Sequence, residues 1–131
     1  MTVSVVRLGS ARLKGEGVRI GTVRHPPRGV KKSDYARENW FDVWLPALAP
    51  SAELLKRARS GDMERDFADF ARRFRTEMAG PEAARLLDLL AALSHGADFS
   101  VGCYCEDERL CHRSLLRALL AGRGAAMRPA P

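Results

Sequence analysis

At 131 residues and 46% hydrophobic content, the chain is sized for one domain that can bury its own core without needing disulfides or a metal. No apolar run approaches the ~20 residues that span a bilayer, and Val3 to Leu8 is too short for a signal peptide, so the expectation is a soluble cytoplasmic protein with no membrane partner. The net charge of +6 is unevenly placed, with nine Lys or Arg against two acids from Met1 to Arg37 and thirteen against fourteen in the remainder, which suits an anionic partner such as nucleic acid or a phosphorylated small molecule, and equally a plain solvated surface.

In chain order, Val3 to Leu8 reads as a first strand, and Gly9 to Gly17 as a basic loop bounded by glycines. Val18 to Val23 reads as a second strand. Its continuation, Arg24-His25-Pro26-Pro27-Arg28-Gly29, must leave the sheet because proline has no amide hydrogen to give to a ladder. Arg24, His25 and Arg28 are therefore expected on a stiff loop at a strand's carboxyl end, the side on which open parallel sheets bind ligands.

Trp40 to Leu45 is rich in β-formers and is read as a third strand, its tryptophans anchoring the segment on the core. Ser51 has the chemistry of an N-cap for a helix through Arg59. From Asp62 to Met78, the residues Met63, Phe67, Phe70, Phe74 and Met78 recur at steps of four, three, four and four, placing one apolar stripe on a helix. Gly80-Pro81 breaks the chain and starts another helix over Glu82 to His95, with Gly96 closing it. His95 there is expected to meet free helix-end carbonyls.

Phe99 to Cys105 is expected to be a buried strand, Glu106 to Leu110 a loop, and Cys111 to Leu120 a helix. The element order implies a small α/β domain over residues 1–121, with a mainly parallel sheet of three to five strands flanked by helices, and a flexible tail over 122–131. The oligomeric state is not legible.

The three cysteines fall within nine positions and are odd in number, which argues for reduced thiols or metal ligation over a disulfide framework. A thiol in a helix's first turn meets unpaired amides and the positive end of the dipole, so Cys111, with His112 beside it, is the candidate nucleophile. Arg24, Arg28 and Arg113 are the candidate ligand-binding residues for a phosphate, nucleotide or nucleic-acid phosphate. Glu106, Asp107 and Glu108 oppose a highly charged polyphosphate in the same loop. No cofactor is required, but Cys103, Cys105, Cys111 and His112 form an alternative zinc set, in pairs tighter than the usual two-to-four-residue separations. Cys103 alone reads most simply as a buried core residue. The Cys103-to-Arg109 spacing also fits the bare phosphatase pattern, but a loop with three carboxylates and no glycine would not cradle a dianion.

Cys105-Glu106-Asp107 followed by Cys111-His112-Arg113-Ser114 before a leucine-rich helix resembles the C-terminal hallmark of the domain-of-unknown-function 488 family. Val23-Arg24-His25-Pro26-Pro27-Arg28-Gly29-Val30 and Val43-Trp44-Leu45-Pro46-Ala47-Leu48-Ala49-Pro50-Ser51 resemble segments of its YeaO-like branch, as does the phenylalanine helix ending Arg72 to Met78. Val23 and Pro26 stand where that branch has an aspartate and a tryptophan. The resemblance runs to Leu120 and implies a compact α/β fold without an established activity.

Overall fold

The computed structural model describes residues 1–129. Four strands, β1 (Val3–Arg7), β2 (Val18–Gly21), β3 (Val43–Trp44) and β4 (Phe99–Cys103), form one sheet in the order β1-β4-β2-β3, with every pairing parallel. The fold is thus the small α/β domain expected. β4 lies between β1 and β2 and is buried at all five positions, as suits an apolar strand of a parallel sheet covered on both faces.

The helices are α1 (Ala52–Arg59), α2 (Met63–Met78), α3 (Pro81–Leu93) and α4 (His112–Gly122). The main core joins Val3, Val5, Ile20, Phe99 and Val101 of the sheet to Phe70, Phe74, Leu87, Leu116 and Leu120 of the helices. The phenylalanine stripe therefore faces the sheet. Ser51 caps α1 by accepting from the Leu54 amide, and Asp62 caps α2 by accepting from the Glu64 amide.

Loops cover the other side of the sheet. There Arg19 is fully buried and paired in a two-pronged contact with Glu16, at 2.7 and 2.9 Å, while Ser100 Oγ and the Leu13 amide also donate to Glu16. The remaining guanidinium donors go to the carbonyls of Ser10, Ala11 and Asn39. Burial alone would raise the Glu16 carboxyl, but these donors hold it down to about 2. Gly21 lies against the Phe41 ring so closely that a Cβ there would stand 2.3 Å from a ring carbon.

The third strand is shorter than its composition predicts. Phe41 is drawn into a second small core with Leu8, Val23, Cys103 and Cys111, and Pro46 opens a 3-10 turn, leaving Val43–Trp44 to pair with β2. Trp40 packs on that second core, whereas Trp44 stays 43% exposed and donates from Nε1 to the Val23 carbonyl. His95 does meet a carbonyl, that of Gly124 at 2.7 Å. Past α4, the Arg128 amide donates to Val3 O and the Val3 amide to Ala126 O, so this part of the tail runs beside β1. The rest of the expected flexible tail, residues 130 and 131, lies outside the described residues. Among the described residues no helix is long and apolar enough to cross a membrane.

Candidate functional site

β4 ends at Cys103, Glu108–Leu110 forms a 3-10 turn, and α4 opens at His112 with Cys111 as the extended residue before it. This tight return folds the last residues of the strand back against the first of the helix. Cys103 and Cys111 are almost fully buried and their sulfurs approach to 2.6 Å. The Cys111 sulfur lies 3.7 Å from His112 Nδ1, and the ligating atoms of Cys103, Cys111 and His112 are all within 4.8 Å of one another. The group could hold a metal ion. Cys105 is exposed and stands outside that close group, but it lines the same cavity as the other two cysteines.

His112 is buried beneath the Phe74 ring, with centroids 5.6 Å apart. Its Nε2 is 2.7 Å from the Thr22 carbonyl, which can only accept, so Nε2 carries the proton. Burial pushes the imidazole pKa down despite that bond. The neutral ring consequently turns an Nδ1 lone pair toward the sulfurs.

The Cys103 and Cys111 thiols, in contact, cannot both ionise in the absence of a cation. The neighbouring Cys105 and Cys111 thiols, then burial, push Cys103 far up. The neighbouring Cys103 thiol lowers Cys111, but the neighbouring Cys105 and burial prevail and raise it to about 11. Cys105 is the one held low, by the neighbouring Cys103 and Cys111 thiols first and then by the Arg113 charge. Arg113 is 4% exposed, donates to the Cys105 carbonyl, and has a buried Nε without a partner. Burial alone would lower the guanidinium pKa, and the thiols of Cys103 and Cys111 raise it.

Cys103, Cys105, Cys111 and His112 line a cavity of about 350 Å³ together with Arg24, His25 and Arg59 and with Met63 and Phe70 of α2. The loop after β2 and the start of α4 therefore meet at the carboxyl edge of the sheet. Arg24 turns its guanidinium to the carbonyls of Pro50 and Ala49, at 3.0 and 3.2 Å. Arg28 faces a second cavity, of about 840 Å³, that shares His25, Arg59 and Tyr104 with the first. Arg113 lines neither. Arg7, Arg59, Trp40 and Tyr104 join the site only in three dimensions. Their one sequence signal is position, since Arg7 and Tyr104 each follow a run of strand-forming residues.

A family profile, DUF488-N3a, described as the active DUF488-N3 subclade, matches residues 3–124. No curated protein and no solved structure matches the chain.

Proposed function

The chain belongs to the DUF488-N3a family, and from that premise we propose that it is a zinc-binding protein in which Cys103, Cys111 and His112 hold the metal and Cys105 is the fourth, exposed ligand. The observation that carries this reading is the His112 tautomer. A metal-bound histidine characteristically gives its other N–H to a carbonyl or carboxylate, and here Nε2–H goes to Thr22 O while Nδ1 faces the sulfurs.

Charge supports the same reading. Three thiolates, a neutral imidazole and a divalent zinc ion sum to one negative charge, and the buried Arg113 guanidinium beside them brings the total to zero. Thiolate and imidazole are the donors that select zinc over magnesium or calcium. Bound zinc would cross-link the end of β4 to the start of α4 and, where Cys105 yields its place, present a Lewis-acid position to the 350 Å³ cavity. The tight Cys-x-Cys and Cys-His spacings suit a site whose ligands come from a strand end and a helix start rather than from one loop.

Metal analysis of protein purified without added zinc should find one zinc per chain. Cobalt substitution should give the intense near-ultraviolet sulfur-to-cobalt absorption of a thiolate site, weakened in Cys103→Ser and Cys111→Ser. Metal content far below stoichiometric, with no such absorption, would remove the reading.

A second reading rests on the exposure of Cys105 on the wall of the cavity that Cys111 and His112 also line, which makes it a candidate nucleophile toward a ligand there. In this reading Cys111 and His112, the catalytic pair expected from sequence, position and polarise the Cys105 sulfur. Peptide mapping after brief iodoacetamide treatment of chelator-stripped protein should find Cys105 modified first. Modification of Cys111 ahead of Cys105 would contradict it.

A further inference from the structure

We propose that the 840 Å³ cavity beside the thiol cluster is a second, separate site that binds a nucleoside 5′-monophosphate, the phosphate held by Arg7, Arg28 and Arg59 and the base stacked against Trp40 or Tyr104. This inference does not depend on the metal reading, because none of the proposed metal ligands lines this cavity.

The charge pattern comes first. Several arginines elsewhere in the molecule are spent on carboxylates, as in Arg12 with Asp42, Arg57 and Arg73 with Asp69, Arg117 with Glu108 and Arg123 with Asp88. The cavity wall has three arginines and His25 and no acid at all. Among the described residues Arg28 and Arg59 meet no carboxylate, and Arg7 has only the exposed Glu106 at 3.5 Å. Three arginines lining one concave surface, with only the exposed Glu106 near one of them, focus a positive potential there, and a phosphomonoester dianion is the small group that satisfies several planar donors at once.

The aromatic wall distinguishes a nucleotide from bare phosphate. Trp40 and Tyr104 pack edge to face at 5.9 Å and 70°, so they offer two differently directed ring surfaces to the cavity they line. Base stacking on such a ring is worth ~1–3 kcal/mol. The Trp40 ring lies so close over Gly9 that a Cβ there would stand 2.9 Å from it.

The walls are also fixed in advance. Tyr104 Oη donates to the His25 carbonyl at 2.8 Å, tying the end of β4 to the Pro26-Pro27 loop. Arg7 Nε donates to the Tyr104 carbonyl at 3.2 Å, joining β1 to the same residue. The site therefore sits across the carboxyl ends of three parallel strands, where the sheet directs ligands, and its volume suits a ligand of this size.

The test uses a Trp44→Phe background, so that Trp40 is the sole tryptophan, and follows its fluorescence against AMP, GMP, CMP and UMP, with adenosine, inorganic phosphate and a deoxythymidine oligomer as comparison probes. At least one monophosphate should bind saturably and about tenfold or more tighter than both adenosine and inorganic phosphate. Arg28→Ala/Arg59→Ala, which removes two exposed and unpartnered side chains and should melt like the parent, should weaken that binding by roughly 100-fold. Inorganic phosphate binding as tightly as any monophosphate would reduce the site to a simple anion hole and overturn the proposal. So would adenosine binding as tightly, binding indifferent to the double substitution, or binding of the oligomer alone, which would mark a nucleic-acid surface. No saturable response to any probe would overturn it as well.

Discussion

His112 gives one ring proton to Thr22 O and keeps the other nitrogen's lone pair for the sulfurs, and neither choice is written in the dipeptide Cys111-His112. The sequence placed the thiols and the imidazole at a strand end and a helix start, which is where they are. The partners of the arginines were not legible: Arg24 spends its donors on the carbonyls of Pro50 and Ala49, and Arg113 is buried behind the thiols. The Glu16–Arg19 pair was hidden because Glu16 falls in what reads as a basic loop and Arg19 in the strand after it, the only signal being one acid among several bases. Glu16→Gln should leave the Arg19 charge buried without its counter-ion and cost about 3–5 kcal/mol in urea unfolding. A loss under about 1 kcal/mol would put the pair on a level with surface ion pairs. Because the folded carboxyl is held at about 2 against an ordinary 4.5, its stabilisation is fully present above 4.5 and disappears as pH falls toward 2. Stability of the parent should fall across that window more steeply than that of Glu16→Gln.

At the scale of elements, periodicity served the helices well because their apolar faces are wide and their caps chemically distinct. Ser51 and Asp62 cap α1 and α2 as their side chains suggest. Ser51 also donates to Glu77 near the end of α2, and its amide donates to the same carboxylate at 2.8 Å, so one residue fixes the start of one helix against the end of another. Ser51→Ala should cost about 1 kcal/mol or somewhat more in thermal or denaturant melts. No measurable loss would mean that the cap and the Glu77 contact add nothing beyond what water supplies. The short β3 was less legible, since strand propensity over Trp40 to Leu45 cannot tell a ladder residue such as Val43 from Phe41, which fills the space over Gly21. The turn between β4 and α4 is the element that matters most for function, because it brings Cys103, Cys105 and Cys111 together while keeping one of them exposed.

For the whole molecule, a parallel sheet with its helices packed on one face and loops on the other leaves the carboxyl edge as the place where β1, β2 and β4 deliver side chains to common cavities. The basic surplus of the first third, read from sequence as either a binding surface or a solvated one, divides in space: Arg19 is internal, Arg12 is paired with Asp42, and Arg7 and Arg28 face the larger cavity. Two neighbouring sites of opposite chemistry, one of thiols and imidazole and one of guanidiniums and aromatic rings, share the His25, Arg59 and Tyr104 wall. The most direct measurement of the central claim is the zinc content of the purified chain beside that of His112→Ala and of Arg28→Ala/Arg59→Ala. One zinc per chain in the parent and the arginine variant, lost from His112→Ala, is the predicted result. A parent protein that is fully folded and free of zinc, and that stays so after incubation with zinc and a thiol reductant, would contradict it.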